Sequence, residues 1–281
     1  MKVGCFSLLK PFTVMEEQLK YIQELGFKYA DVTDTHPGSL LGREYGFSST
    51  VSLDDNPIEV KRMFAKYGLT VSTICAHAAL LDPSSPSRYG NNEITKAIKM
   101  AHAMDVRDVI TSEGEAHTEW GHNLKYDQAI TIIAEKLCEP VKLAEDLGRM
   151  LLLEPHGPYT CNIQAVKDIF SLLGDPVSLG VCMDTGNSWL GGADPVEYAT
   201  TFKDKIYHIH WKDIPKDMSH LRGTMYGCGM TINPLGTGVC DIAGVYEVLK
   251  DAPHVKHSTL EIADGDSLVK SYAYLKNLGA E

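Results

Sequence analysis

The feature that most constrains the fold is a pattern that occurs four times in the second half of the chain. A short apolar strand ends in a carboxylate or an imidazole, at residues 151–154, 179–184, 206–210 and 258–261. In a parallel barrel the C-terminal ends of the strands meet at one rim, so side chains at those ends are brought together. The pattern therefore predicts a polar site at that rim. Its four members are Glu154, Asp184, His210 and Glu261.

Helical and strand patterns alternate along the whole chain. The earlier predicted strands cover 2–8, 29–33, 70–77 and 108–113, and the four repeats supply the rest. The predicted helices cover 14–25, 57–67, 91–104, 125–147, 163–173, 195–203, 242–250 and 266–278. Eight such units in 281 residues are typical of an α/β fold, the closed (β/α)8 TIM barrel.

One domain spanning residues 1–281 accounts for this pattern, since no linker or low-complexity tract divides the chain. Long βα loops are predicted at about 35–56, 78–90, 114–123 and 214–240. The alternative is an open doubly wound sheet. It is less favoured because the first strand is not followed by a GxGxxG motif, which dinucleotide-binding members of that class carry.

The charge balance argues against nucleic acid as a partner. The chain has 26 Lys and Arg against 37 Asp and Glu, a net charge of −11, whereas proteins that bind phosphate backbones present a basic face. Seven dispersed cysteines with no CxxC pair indicate reduced thiols and predict a cytoplasmic location. No apolar stretch approaches the ~18 residues that span a membrane, and the start is too polar for a signal peptide, so no membrane association is expected.

Three carboxylates and one imidazole form an oxygen-rich set of donors. Such a set suits a hard divalent ion better than thiolate-preferring zinc. One divalent metal ion is therefore predicted, Mn2+ in first place, with Mg2+ or Co2+ as alternatives. A lone strand-end carboxylate also has a structural interpretation, as a helix cap or ion-pair partner. Asp184, which precedes Thr-Gly-Asn, could simply organise a turn.

His156 follows Glu154 by two residues, so strand alternation places both side chains on the same face. An imidazole has an ordinary pKa of ~6.5, which suits a general base beside a metal. This pattern predicts His156 as a catalytic residue. The alternative is that His156 orients Glu154 as the hydrogen-bond partner of a metal ligand.

Other strand ends and rim loops supply candidates for substrate contact. They are His77, Glu113, Lys212, Trp189 and His122. Aromatic faces often line sugar pockets, although a single rim tryptophan more often packs against its neighbours. Lys212 has a second interpretation as the partner of a carboxylate.

At its four strand-end residues the chain resembles the xylose-isomerase-like TIM barrels of the sugar phosphate isomerase/epimerase superfamily, whose metal ligands follow the order Glu, Asp, His, Glu. The resemblance extends over essentially the whole chain. It implies a divalent metal that holds neighbouring oxygens of a keto-sugar while a proton is removed from carbon. Ketose 3-epimerases of the superfamily use both glutamate ligands as acid and base, which implies catalytic roles for Glu154 and Glu261.

Two positions depart from the ketose 3-epimerase pattern. Those enzymes carry a histidine where this chain has Asn187, and an arginine soon after the histidine ligand, where this chain has Trp211-Lys212-Asp213. The segments EPHGP, HWKD and HSTLEIA are more similar to the catalytic α subunits of bacterial C-glycoside deglycosidases. That similarity implies a lyase that removes the C2 proton of a 3-oxo-glycoside, C-glycosides included, and eliminates the C1 substituent. It also implies a small β subunit and a higher oligomer.

Other functions remain open. The same proton removal serves a sugar isomerase or epimerase, or an inosose-type dehydratase. An apurinic-endonuclease-like DNA repair barrel would need a His-rich trinuclear site and a basic surface. A non-catalytic sugar-binding barrel would not need His156 beside the metal ligands.

Overall fold

The computed structural model describes residues 1–33, 51–83, 89–228 and 230–281, in which eight parallel strands close into a barrel. The strands are β1 Lys2–Phe6, β2 Tyr29–Val32, β3 Thr70–Cys75, β4 Asp108–Thr111, β5 Met150–Leu153, β6 Leu179–Asp184, β7 Ile206–Trp211 and β8 His257–Leu260. They follow one another around the barrel in sequence order, and β8 pairs with β1 to close it. The predicted (β/α)8 TIM-barrel fold is confirmed.

Helices fill the intervals between the strands. They are α1 Met15–Glu24, α2 Pro57–Lys66, α3 Tyr89–Met104, α4 Glu119–His122, α5 Tyr126–Asp146, α6 Ile163–Leu172, α7 Thr185–Leu190, α8 Pro195–Phe202, α9 Ile242–Leu249 and α10 Gly265–Leu278. The side chains of Asn56, Asn162 and Asp194 accept hydrogen bonds from the first turns of α2, α6 and α8. These caps satisfy N–H groups that have no partner within a helix.

Three predicted strands, the first, third and fourth, are two residues too long at their C-terminal ends, and the last two of them carry candidate site residues. The third strand ends at Cys75 and the fourth at Thr111, because the chain turns into loops beyond those residues. His77 and Glu113 therefore lie on loops at the barrel mouth, each two residues past the end of its strand.

The sequence pattern did not predict α7, which follows β6 directly. Its sequence, Thr-Gly-Asn-Ser-Trp-Leu, has weak helix propensity. The helix is capped by Asp184, whose Oδ1 accepts a hydrogen bond from the amide of Asn187 at 2.7 Å. One oxygen of Asp184 thus organises the turn that the sequence suggested, and the other oxygen is left for the site.

Two of the predicted long loops contain short helices. Loop 114–123 contains α4, and loop 214–240 contains a 3-10 helix at Lys216–Leu221. Most of the predicted loop 35–56, and the middle of loop 78–90, lie outside the described residues. Within the described ranges, no helix combines the length and the apolar character needed to cross a membrane.

Apolar side chains fill the layer between the barrel and its helices. Leu19 and Ile22 on α1, for example, are fully buried and share one face of the helix at three-residue spacing. Inside the barrel, a smaller apolar cluster comes from five different strands: Phe6, Cys75, Ile110, Leu152 and Cys182. The ring of Phe6 lies 5.0 Å from the imidazole of His210, so this cluster packs directly against the polar site.

Candidate metal centre and active site

The four strand-end residues meet at the mouth of the barrel. Glu154 follows β5, Asp184 ends β6, His210 lies in β7 and Glu261 follows β8. All four are buried, and each offers a ligand atom within 4.8 Å of the others. His210 Nδ1 lies 3.1 Å from Glu154 Oε1 and 3.0 Å from Glu261 Oε1. The structure thus brings together the set of residues that the strand pattern predicts.

The chemistry of this cluster fits a divalent cation. Asp184 Oδ2 is buried and makes no hydrogen bond of normal geometry among the described residues, although the Lys212 ammonium lies 3.2 Å from it. A buried carboxylate oxygen is unfavourable unless positive charge or a proton compensates it. Burial raises the pKa of Asp184 to about 8; attraction from Lys212 opposes this shift, and repulsion from Glu261 and Glu154 adds to it. A bound metal displaces protons from such groups. Three carboxylates and one imidazole nitrogen are suitable donors for it.

The ammonium group of Lys212 lies within the same cluster. Its Nζ is 3.2 Å from Asp184 Oδ2 and 3.1 Å from Asn187 Oδ1, and it contacts Glu261 Oε2 directly. The aliphatic stem crosses Gly186, where a Cβ would lie only 2.8 Å from the Cγ and Cδ atoms of Lys212. Of the two interpretations that the sequence left open, these contacts match the pairing of Lys212 with carboxylates.

His77 contacts the candidate ligand Glu154. Its Nε2 lies 2.7 Å from Glu154 Oε2, while Asn187 Nδ2 donates to Glu154 Oε1 at 3.4 Å. Burial alone would raise the pKa of Glu154, but the charges of His210 and His77 and their hydrogen bonds hold this pKa well below its ordinary value. His77 is therefore placed to orient a ligand carboxylate, as hydrogen-bond partners commonly do in metal sites.

His156 lies beside the cluster, where the chain turns after β5. Its ring centre is 5.4 Å from that of His77, and its Nδ1 is buried with no hydrogen-bond partner in the described part of the chain. Burial, and then the charge of His77, lowers the pKa of His156. The imidazole is therefore neutral near pH 7 and able to accept a proton. The alternative interpretation is that His156 orients Glu154 through a hydrogen bond. In the structure His77 makes that hydrogen bond.

The backbone at Gly227 passes over the ring of His156. A Cβ at Gly227 would lie 2.5 Å from His156 Nε2, so the absence of a side chain allows the backbone to approach this closely. The Sγ of Cys161 lies 3.8 Å from the carbonyl oxygen of Tyr226. The predicted loop 214–240 thus forms part of the wall around His156.

Glu113, a predicted substrate contact, is fully buried beside the turn that carries His156. Its Oε1 accepts hydrogen bonds from the amides of Tyr159 at 2.7 Å and Thr160 at 2.9 Å, and its Oε2 accepts one from the Thr160 hydroxyl at 2.5 Å. Burial raises the pKa of Glu113, and its bonds to Thr160 and Tyr159 oppose that shift. Both carboxylate oxygens of Glu113 therefore bond the turn that carries His156.

Trp189 and His122 are the remaining predicted substrate contacts. Trp189 is half-buried on α7, and the guanidinium of Arg222 lies 5.0 Å from the centre of its ring. His122 is the last residue of α4 and is exposed. The structure gives Trp189 a packing partner and His122 a position on the surface. Substrate contact by either residue stays a prediction.

Asp31 is a site residue that the sequence reasoning missed. It is buried in β2, and its Oδ2 lies 3.8 Å from His210 Nε2. This is the imidazole nitrogen on the side opposite Glu154 and Glu261. Neither atom makes a hydrogen bond of normal geometry within the described ranges. Burial raises the pKa of Asp31 to about 6, and the charge of His210 and a hydrogen bond from Ser72 oppose it. The sequence did contain a signal for Asp31, since this residue also lies near the C-terminal end of an apolar strand.

A comparison with protein families agrees with this geometry. Residues 19–278 match the model of the xylose isomerase-like TIM barrel family. The chain belongs to this family. The superfamily resemblance that the strand-end residues predicted is confirmed.

The curated relatives of this xylose isomerase-like chain include inosose dehydratases. That of Lacticaseibacillus casei is 26% identical over 118 residues, which are 39% of each chain. That of Geobacillus kaustophilus (strain HTA426) is 24% identical over 151 residues, which are 51% of this chain and 49% of the relative. The chain therefore spans between 39% and 49% of the length of these relatives.

Several solved structures share the fold over nearly the whole chain. A D-tagatose 3-epimerase-like protein has a TM-score of 0.75 at 19% identity, covering 99% of this chain and 97% of its own. The 3-keto-D-glucoside 4-epimerase of E. coli has a TM-score of 0.73 at 16% identity, covering 99% of both chains. The IOLI protein, solved with a zinc atom, has a TM-score of 0.75 at 12% identity, covering 99% and 98%. At these identities the likeness shows the fold.

Proposed function

We propose that this protein is a divalent-metal-dependent lyase that removes a proton from the carbon next to the ketone of a keto-sugar or keto-cyclitol and then eliminates water. The proposal is carried by His156, a neutral imidazole beside four candidate metal ligands, whose Nδ1 has no hydrogen-bond partner among the described residues. The substrate class is supported by the inosose dehydratases among the relatives, since an inosose is a cyclic polyol that carries a ketone.

The residues of the chain divide the binding and the proton transfer between them. A divalent ion held by Glu154, Asp184, His210 and Glu261 would supply Lewis acidity towards neighbouring oxygens of the substrate. His156 accepts the proton from the carbon next to the ketone. The electron pair of that C–H bond forms a carbon–carbon double bond, and the hydroxyl group on the next carbon departs. His156 returns its proton to the departing oxygen, so the products are an unsaturated ketone and water.

The contacts of the two glutamates favour elimination over epimerisation. In the epimerase mechanism that the resemblance implies, Glu154 and Glu261 would exchange protons with the substrate. Here His77 lies 2.7 Å from a Glu154 oxygen, and the Lys212 ammonium contacts Glu261. Burial opposes ionisation of Glu261, but the charges of Lys212 and His210 lower its pKa. Both carboxylates are therefore held ionised, which suits ligands better than proton donors.

A second candidate is the elimination of an aglycone from a 3-oxo-glycoside. It needs the same proton removal by His156, but the C1 substituent leaves in place of hydroxide. The segments EPHGP and HSTLEIA, which are similar to the α subunits of C-glycoside deglycosidases, support it. This version would also involve a small second subunit. For either reaction we propose Mn2+ as the metal, with Mg2+, Co2+ and the zinc of the IOLI structure as competitors.

The test measures removal of the proton from the carbon next to the ketone, because this step precedes each of the candidate reactions. The chain is loaded with Mn2+ and incubated in H2O with an inosose, a free ketose and a 3-oxo-glycoside, each deuterated at the carbon next to the ketone. Exchange, meaning loss of this deuterium to the solvent, reports removal of the hydrogen whether or not elimination follows, and the product mass separates loss of water, isomerisation and release of an aglycone. We expect exchange with the inosose, accompanied by loss of water. An isomer without loss of water would support the epimerase alternative instead.

Two histidine variants make the test specific. His156→Gln should abolish exchange, whereas His102→Gln, which changes an exposed histidine of α3, should leave it unchanged. The proposal is rejected if metal-loaded protein exchanges no substrate deuterium, or if His156→Gln exchanges as fast as the wild type. If only the glycoside reacts, the second candidate replaces the first.

A further inference from the structure

The imidazole of His156 is not oriented in the usual way. A catalytic histidine normally has one ring nitrogen bonded to a carboxylate or carbonyl, which fixes the orientation of the other. Here His156 Nδ1 is buried, and no hydrogen bond reaches it within the described residues. The position of the ring is therefore set by the backbone of its own turn, together with packing against the Gly227 backbone and the His77 ring.

The backbone amide of His156 is linked to Glu113 through the hydroxyl group of Thr160. The amide of His156 donates to Thr160 Oγ1 at 3.0 Å, and the same hydroxyl donates to Glu113 Oε2 at 2.5 Å. A hydroxyl group can accept and donate at once, and a charged acceptor strengthens the bonds in such a chain. The connection runs from β4, through Glu113 and Thr160, to the residue that carries the imidazole.

The rest of the turn is held at the same point. Glu113 also accepts the amides of Tyr159 and Thr160, and the hydroxyl of Tyr198, on α8, donates to the carbonyl of Thr160 at 2.9 Å. At Gly157 a Cβ would lie 2.3 Å from Glu113 Oε1, so this carboxylate is packed against the backbone. The turn is thus fixed from two neighbouring elements of the barrel.

We propose that Glu113 and Thr160 are positioning residues for His156: they hold the base at the metal cluster through its main chain. This inference rests on the proposed function only for the role of His156 as base. It assigns Glu113 a role other than the substrate contact expected from its place in the sequence. The hydroxyl of Thr160 is the part of the connection that a single substitution can remove without changing the shape of the side chain.

The test compares Thr160→Val with Thr160→Ser. Valine keeps the shape of threonine but cannot accept the His156 amide or donate to Glu113, whereas serine keeps the hydroxyl. Since small misplacements of a catalytic group lower rates by up to about 100-fold, we expect kcat of Thr160→Val to fall about 10–100-fold with KM and Mn2+ content nearly unchanged. Thr160→Ser should recover most of the loss. Ser178→Ala removes a buried hydroxyl that bonds the Val141 carbonyl at 3.0 Å, far from the turn, and should leave kcat unchanged.

A second readout does not need the substrate. In protein labelled with ¹³C-histidine, the ring signal of His156 is assigned by its absence from His156→Gln. We expect one sharp signal in wild type and Thr160→Ser, and a broadened or doubled signal in Thr160→Val. An unchanged signal in Thr160→Val overturns the inference, as does an equal fall of kcat in Thr160→Val and Thr160→Ser. If the inosose, the ketose and the 3-oxo-glycoside all fail to react, the proposed function fails. The ring signal alone then tests whether Thr160 positions His156.

Discussion

The two halves of the barrel contribute differently to the site, although both consist of the same βα units. Strands β5 to β8 each supply one candidate metal ligand at or just after the C-terminal end. Strands β2 to β4 supply residues that contact the second half. Asp31 faces His210, His77 bonds Glu154, and Glu113 holds the turn of His156.

This difference separates residues that would bind the metal from residues that hold the binding groups in place. Metal ligands are usually fixed by a surrounding set of hydrogen-bond partners. Here His77 of the first half bonds Glu154, and Asn187 and Lys212 of the second half contact the candidate ligands as well. The halves should therefore respond differently to substitution. Changes in β5 to β8 should abolish metal binding or turnover, whereas changes in β2 and β3 should weaken metal binding.

The largest expected effect is the loss of the metal from ligand variants. Glu154→Ala, Asp184→Ala, His210→Ala and Glu261→Ala should each bind Mn2+ more than about 100-fold more weakly, since replacing mere partners of ligands costs 10–100-fold. Isothermal titration calorimetry measures the affinity. Glu115→Gln, an exposed carboxylate near the same rim, is the control and should bind normally. Retention of one tightly bound ion per chain in two or more Ala variants would disprove the four-ligand site.

His156→Ala should lower turnover but leave the metal in place. A positioned general base contributes roughly 10²–10⁴-fold to the rate, so kcat should fall by that factor while Mn2+ content stays near the wild-type value. Both quantities are measured on the same preparation. Recovery of activity on adding excess Mn2+ would show instead that His156 supports a ligand.

His77→Gln should give the opposite result. The ring lies 2.7 Å from Glu154 Oε2, and loss of such a partner lowers metal affinity about 10–100-fold. Activity should therefore fall at limiting Mn2+ and recover when Mn2+ is raised to saturation. Persistent inactivity at saturating Mn2+, with the metal shown to be bound, would indicate instead that His77 contacts the substrate directly, as its position in the sequence first suggested.

The smallest effect is expected for Asp31→Asn. The carboxylate faces His210 Nε2 at 3.8 Å, which is longer than a hydrogen bond. The variant should therefore weaken Mn2+ binding only about tenfold, the lower end for partners of ligands. Thr200→Val, which alters an exposed residue of α8, is the control. An affinity loss as large as that of His210→Ala would mean that Asp31 is itself a ligand.

The sequence by itself determined the barrel and the candidate ligand set. Both follow from short-range patterns: strands alternate with helices, and the strand-end groups of a parallel barrel must meet at one rim. The placement of Glu154, Asp184, His210 and Glu261 in one cluster therefore needed no knowledge of packing.

Only the tertiary structure decided what the remaining residues contact. A residue at a strand end can reach the substrate, a ligand or a neighbouring loop, and its own sequence neighbours are the same in each case. His77 bonds the candidate ligand Glu154, 77 positions away in the chain, and Glu113 bonds a turn 46 and 47 positions away. The helix α7 forms because Asp184 caps it and it is packed in place, despite weak local propensity. Contacts of this range depend on how the βα loops pack over the barrel mouth, which no local pattern encodes.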